Sequence, residues 1–269
     1  MNDAPAALRR ARLQWAMADT GTDARPPLLP ALAALYLDFD GTLAAYAPHP
    51  DGVTVDGSLP ALLRGLRARL GGAVALVTGR SLAALDALIA PDRFAGAGLH
   101  GLELRLQSGT TTFTGDPAAA APLVRNLREL FADDPRIVIE DKGAAVALHY
   151  RRARERADEC IGAMRELVAT TDLQVITGHA VVEARPRGAD KGGALRALAA
   201  HAPFTGRKPV FVGDDATDED GFRAAAELGG YGIKVGAGAS IARYRIDAVD
   251  DVYAWLRASL AALERGDAG

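Results

Sequence analysis

Ala34-Leu-Tyr-Leu-Asp-Phe-Asp-Gly-Thr-Leu43 runs four apolar positions without a break, then meets two acids and a glycine. An unbroken apolar run suits a strand covered on both faces. In extended chain, residues i and i+2 point the same way. Asp38 and Asp40 are therefore expected to face one site just past the C-terminal edge of that strand. Open α/β sheets take their ligands at that edge. Gly41 permits a sharp turn that brings backbone N–H groups toward an anion. A bare Asp-x-Asp is common, but the whole string after a buried strand is far more specific.

The pattern extends on both sides of this string. A helical spacing of apolar residues covers 59–70 and stops at Gly71-Gly72. Ala73-Val-Ala-Leu-Val-Thr78 reads as a second buried strand, and Ser81 caps a helix running to about residue 90. Strand, helix, strand, helix implies a parallel sheet with helices on its faces. The middle third differs. Residues 110–114 are polar and β-branched, and helices are expected over 117–131 and 152–169. Ile137-Val-Ile-Glu140 with Ala144–Tyr150, and Leu173–Gly178 with Ala180–Arg185, read as two hairpins of a small antiparallel sheet. The last third returns to the first pattern, with a helix over 189–201 and the buried strand Pro209-Val-Phe-Val-Gly-Asp-Asp215. The expected division is an extension and linker over 1–25 with a helix at 5–17, core over 26–104, an inserted α/β cap over 105–186, and core again over 187–269.

Three further motifs sit at strand ends or helix starts. Gly213-Asp-Asp-Ala-Thr-Asp-Glu-Asp220 crowds carboxylates at Asp214, Asp215 and Asp218. Like charges raise one another's pKa, and a hard divalent cation with oxygen ligands relieves the crowding; Mg²⁺ uses one or two protein carboxylates plus substrate phosphate. Thr78-Gly79-Arg80 ends a buried strand with a hydroxyl and opens a helix, which suits a phosphoryl oxygen. Lys191 is one of four lysines against 27 arginines. It opens a helix, where a cation is disfavoured by the dipole unless an anion is near.

Composition narrows the class. The chain has 269 residues, 49% of them hydrophobic, enough for a full core, and a net charge of −3, which argues against a dedicated nucleic-acid binder. No stretch reaches the ~18 apolar residues that span a bilayer. Arg9, Arg10 and Arg12 are not followed by a signal-peptide core. The lone Cys160 forms no internal disulfide and is expected to pack within a helix. The expectation is a cytoplasmic monomer with a small-molecule substrate. His49, His179 and His201 are expected to be structural or surface positions.

Together the four motifs, in this order, resemble the haloacid-dehalogenase-like (HAD) phosphatase superfamily, over nearly the whole chain from residue 33. That resemblance implies a Rossmann-like parallel core with an inserted cap. It implies Asp38 as nucleophile, forming an aspartyl-phosphate, and Asp40 as general acid and base. Thr78 and Lys191 would hold the phosphoryl group and nucleophile. Mg²⁺ would lie on Asp38, the backbone carbonyl of Asp40 and Asp214, with Asp215 and Asp218 supporting. Relatives that keep a long-lived phosphoenzyme often lack a carboxylate at position 40, so Asp40 favours hydrolysis.

Gly98-Leu-His-Gly-Leu-Glu103, Glu140-Asp-Lys-Gly143, His149-Tyr-Arg151, Val182-Glu-Ala-Arg-Pro186 and the acidic motif resemble the trehalose-6-phosphate phosphatases. The resemblance implies trehalose biosynthesis, with Gly79, Arg80, His100, Gly101, Glu140, Lys142, Glu183 and Arg185 binding substrate. Two other readings stand beside it. One is a relative acting on another sugar phosphate, such as sucrose phosphate or mannosylphosphoglycerate. The other is a non-catalytic phospho-accepting sensor, although receiver domains are about half this length, lack a cap and have no use for Asp40.

Overall fold

The structure, a computed structural model, describes residues 24–46, 52–113, 116, 118–178 and 180–266. The helix expected at 5–17, His49 and His179 lie outside the described residues. The chain folds as β1 (Ala33–Leu37), α1 (Leu59–Arg69), β2 (Val74–Val77), α2 (Leu82–Ile89), β3 (Ala95–Gly98), β4 (Glu103–Arg105), β5 (Thr111–Phe113), α3 (Ala121–Leu130), β6 (Val138–Asp141), β7 (Val146–His149), α4 (Ala157–Val168), β8 (Leu173–Gly178), β9 (Val181–Pro186), α5 (Lys191–Ala199), β10 (Lys208–Gly213), α6 (Asp218–Glu227), β11 (Tyr231–Val235), β12 (Tyr244–Ile246) and α7 (Val249–Arg265). Eight strands form one sheet in the order β12-β11-β10-β1-β2-β3-β4-β5, and four form a second in the order β6-β7-β9-β8.

All five residues of β1 are buried, as its unbroken apolar run requires. Leu35 and Leu37 project into a cluster with α1, α2 and α7. Ala34 and Tyr36 project to the opposite face, against α5 and α6. The first sheet is thus a parallel core with helices on both faces, carrying the antiparallel strands β4 and β5 at one edge. Leu37 is in register with Val212 of β10 and Leu76 of β2. Register fixes the exits: Asp38, Thr78 and Asp214 all leave the sheet at one edge. From β1 the chain passes to β2 on one side, while β10 lies on the other, so this edge is also a topological switch point.

The second sheet is antiparallel, with α3 and α4 on one face. Val146, Leu148, Val182 and Ala184 enter that apolar cluster together with Cys160 and Met164. The two-residue period then turns Glu140, Ala147 and Glu183, which are paired across three strands, to the other face. A small cluster of Leu99, Leu102, Ala144, Ala145 and Ala189 joins the two halves.

This is the expected class: a parallel core with an inserted antiparallel α/β unit. Segment 105–113, expected within the cap, instead ends β4 and forms β5 of the large sheet, because a short turn after Gly98 returns the chain beside β3. Strand β3 itself reads Ala-Gly-Ala-Gly, which carries no strand signal. A Cβ on Gly96 would lie 2.2 Å from the Leu76 carbonyl oxygen, so glycine is what lets β3 approach β2. Among the described residues no helix is long and apolar enough to cross a membrane.

Candidate active site

Lys191 is the centre of the site. Asp190 caps α5 by accepting from the Gly193 N–H at 2.6 Å, so Lys191 occupies the first helical position. Its buried ammonium donates to Asp38 and to Asp218, both at 2.7 Å. Asp218 is fully buried at the start of α6. Its second oxygen accepts the backbone N–H groups of Asp214 and Asp215 at 2.8 and 2.9 Å. It therefore ties the acidic loop, the lysine and the helix together. Gly213 makes room for it, since a Cβ there would lie 2.2 Å from the Asp218 carboxyl carbon.

Asp214 stands opposite Asp38. Its oxygens accept from the Thr42 hydroxyl at 3.2 Å and the Tyr46 hydroxyl at 3.0 Å. Gly41, at φ +86°, is doubly required: a Cβ there would be strained and would meet the Asp214 carboxylate at 2.3 Å. Lys234 donates to the Asp214 backbone carbonyl and, at 2.9 Å, to that of Val235.

Burial pushes the Asp38 carboxyl up to about 8; Lys191 opposes the rise, and Asp214 and Asp215 add to it. Asp214 rises to about 6, first through burial and then through its acidic neighbours Asp218 and Asp215. Burial would raise Asp215 as well, but the Lys191 charge and hydrogen bonds from Thr217 bring it down to about 2. Asp38, Asp214 and Asp218 each place an oxygen within 4.8 Å of the others. Three carboxylates against one ammonium leave negative charge unbalanced, and every donor is an oxygen. The residues fit a hard cation.

Asp40 is held differently. Nε and Nη2 of Arg80 each donate to one of its oxygens at 2.7 Å. Such a two-pronged pairing fixes the plane of the carboxylate. Thr78 is fully buried, and its hydroxyl oxygen accepts the Arg80 N–H at 3.1 Å.

The site opens into a cavity of about 710 Å³ between the two sheets. That volume lies within the roughly 300–1,000 Å³ range of small-molecule sites. Asp38, Asp40, Gly79, Arg80, Lys191 and Asp215 border it from the core. His100 also borders it, held by left-handed backbone at Leu99 and His100, φ 50° and 56°. Such backbone is costly for non-glycine residues and concentrates at functional sites. From the cap come Glu140, Lys142, Glu183 and Arg185. Thr78 and Asp218 are fully buried and do not border it, nor do the half-buried Gly101 and Asp214. Gly101 packs against the start of α5.

The cap groups form a network. Lys142 donates to Glu183 at 2.8 Å and crosses to the core at the Gly79 carbonyl, 3.1 Å away. Glu140 is paired with His149 Nε2 at 2.8 Å. Burial would raise the Glu183 carboxyl, but the adjacent Lys142 and His100 hold it well below the usual carboxylate range. Nε and Nη1 of Arg185 and Nδ1 of His100 are buried without a hydrogen-bond partner in the protein. Buried polar atoms normally find hydrogen-bond partners, so these are suited to a bound polar ligand.

Tyr46, Lys234 and Thr42 also belong to the site, although no expectation above assigns them a role. Thr42 stands inside the string Ala34–Leu43. Lys234 is one of the four lysines and ends within the buried strand β11. Tyr46 carries no spacing signal, because its partner Asp214 lies 168 residues away.

A family model described as Trehalose-phosphatase matches residues 36–250. The chain is 42% identical over 241 residues to a trehalose-6-phosphate phosphatase of Escherichia coli (strain K12), covering 89% of this chain and 91% of that one. Among solved structures, the C-terminal domain of a C. albicans trehalose-6-phosphate phosphatase superposes with a TM-score of 0.75 at 21% identity, covering 86% of this chain and 93% of that one. A phosphatase of the HAD enzyme superfamily from Bacteroides thetaiotaomicron superposes with a TM-score of 0.57 at 17% identity, covering 91% and 99% of the two chains. These two structural likenesses bear on the fold. The family model spans most of the chain, and the E. coli relative is matched along nearly its whole length. The chain belongs to the trehalose-phosphatase family.

Proposed function

We propose that the chain hydrolyses trehalose 6-phosphate to trehalose and phosphate through an aspartyl-phosphate on Asp38. One observation carries the reading. A single cavity joins the Asp38–Lys191 pair and Asp40 at one end to a buried polar cap cluster at the other, where Nε and Nη1 of Arg185 make no hydrogen bond within the protein. A ligand filling both ends has a phosphate on one side and several hydroxyls on the other.

The chemistry follows from the residues. An Asp38 oxygen attacks phosphorus while the bond from phosphorus to the sugar oxygen breaks. That oxygen leaves as a poor alkoxide, so Asp40 gives it a proton. Asp40 then takes a proton from the water that attacks the aspartyl-phosphate, releasing phosphate and restoring Asp38. Splitting the reaction in two lowers each barrier. Lys191 balances charge on the loose phosphoryl transition state. Arg80 holds Asp40 in the present arrangement. A phosphate gives its guanidinium another anion to hold, which frees Asp40 to turn to the leaving oxygen.

Asp38, Asp214 and the Asp40 backbone carbonyl would hold Mg²⁺, supported by Asp215 and Asp218, and the ion when bound supplies charge neutralisation at the phosphoryl group. In the cap, Glu140 and Glu183 accept from sugar hydroxyls, while Arg185 and Lys142 donate. The same reading takes the enzyme to be a cytoplasmic monomer with a small-molecule substrate.

The test is phosphate release across a panel of trehalose 6-phosphate, sucrose phosphate, mannosylphosphoglycerate and an aryl phosphate, with Mg²⁺ and with chelator. The expected result is preference for trehalose 6-phosphate and loss of turnover in chelator. Preference for another sugar phosphate would overturn the substrate, and full activity in chelator would overturn the metal.

A further inference from the structure

Tyr46 follows Gly41 on the core segment, and its ring lies between the two halves of the protein. On the core side its hydroxyl donates to Oδ2 of Asp214 at 3.0 Å, while the Thr42 hydroxyl donates to Oδ1 at 3.2 Å. On the cap side the guanidinium of Arg151, just past β7, sits 5.6 Å from the centre of the ring. Tyr46 and Arg151 border the same cavity as Asp38.

One donor at one oxygen leaves a carboxylate free to swing. Two donors, one on each oxygen, fix its plane. A carboxylate offers about four lone-pair positions, so both hydrogen bonds leave each Asp214 oxygen able to bind a cation. Outer hydrogen-bond partners of ligating carboxylates orient them and commonly change metal affinity about 10–100-fold when removed. The ring does a second job. Its face attracts a cation through the aromatic quadrupole, and arginine stacks there well.

We propose that Tyr46 is a positioning residue with two attachments. Its hydroxyl orients Asp214 toward the cation, and its ring seats Arg151 of the cap, so one side chain serves both the carboxylate and the cap. This rests on the metal-dependent phosphatase reading above.

The test compares Tyr46→Phe, Tyr46→Leu and Arg151→Leu in the full chain. Mn²⁺ binding is read without substrate from the spin-resonance signal of the free ion, and KM for trehalose 6-phosphate is read at saturating Mg²⁺. Tyr46→Phe keeps the ring and loses the hydroxyl; it should weaken Mn²⁺ binding about 10–100-fold and leave KM unchanged. Tyr46→Leu should weaken Mn²⁺ binding equally and also raise KM. Arg151→Leu should raise KM and leave Mn²⁺ binding as in the unmutated chain. Unaltered Mn²⁺ affinity in Tyr46→Phe, or equal KM in the Phe and Leu variants, would overturn the proposal. Failure of the unmutated chain to bind Mn²⁺ would remove the metal reading itself, an outcome distinct from a variant that binds normally.

Discussion

Lys191 places one positive charge between two buried carboxylates, 2.7 Å from each. Removing one partner of a buried ion pair leaves charge that nothing compensates, at a cost of about 3–5 kcal/mol. Lys191→Met should therefore lower the unfolding free energy of the metal-free protein, read from urea unfolding, by that order as well as abolish phosphate release; an unchanged unfolding free energy would refute the account of the triad. Asp38→Asn is the converse case. It removes a charge from a crowded acidic cluster, so the fold should persist at unchanged or higher stability. The amide is not a nucleophile, so turnover should vanish. Substantial hydrolysis by this variant would exclude the covalent route. The two residues were legible to different degrees. Asp38 stands at the end of an unbroken apolar run, and position alone marks it. Lys191 needed a compositional clue, the rarity of lysine beside arginine. Tyr46 offered neither, because a contact across 168 residues leaves no trace in local spacing.

Helix α5 delivers Lys191, and a glycine sets its depth. A Cβ on Gly192 would lie 2.4 Å from the backbone carbonyl oxygen of Asp220 in α6. Backbone cannot swing aside, so Gly192→Ala must push α5 away from α6. Overpacking of this kind costs about 1–3 kcal/mol. The same displacement moves the ammonium off Asp38, so phosphate release should fall by more than the stability loss alone explains. Gly162 supplies the control: it lies inside α4 with nothing within 4 Å of a Cβ. Gly162→Ala should stabilise the protein by about 0.4–1 kcal/mol with activity unchanged. Urea unfolding and phosphate release on both variants decide the matter, and equal effects would show that helix contact is not the cause. Elements differ in how plainly the sequence states them. Strands β1 and β10 are buried on both faces and read as continuous apolar runs. Strand β3 is buried too, yet it is made of alanine and glycine because β2 lies so close, and close approach erases the hydrophobic signal that pattern reading depends on.

At the scale of the whole molecule the cavity is shared, and its halves should respond differently to mutation. Glu140 is tied to His149 within the cap, whereas Lys142 also reaches the core at the Gly79 carbonyl. Glu140→Ala should cut kcat/KM for trehalose 6-phosphate by roughly 10–1000-fold, about 1.4–4 kcal/mol. It should spare a small aryl phosphate, which does not reach the cap. Equal losses on both substrates would mean that Glu140 supports the fold instead. Lys142→Ala should depress both substrates, because it also detaches cap from core. Within the cap Lys142 is held by Glu183, whose carboxyl the adjacent positive charge holds well below the usual range despite its burial. A group with a depressed folded pKa contributes stability that is complete above its unfolded value, about 4.3, and is lost as pH falls through the folded value. Glu183→Gln should therefore be less stable than the unmutated protein by a constant amount above about pH 5, of the order of 1.5–3 kcal/mol for a charged hydrogen bond. The gap should begin to narrow as the pH drops below about 4, where the unfolded chain takes up a proton that the folded carboxyl does not. Urea midpoints measured from pH 3 to 8 on both proteins supply the test. A gap that stays constant into the acid, or one that opens only above neutrality, would mean that the Lys142–Glu183 pair does not stabilise the folded protein.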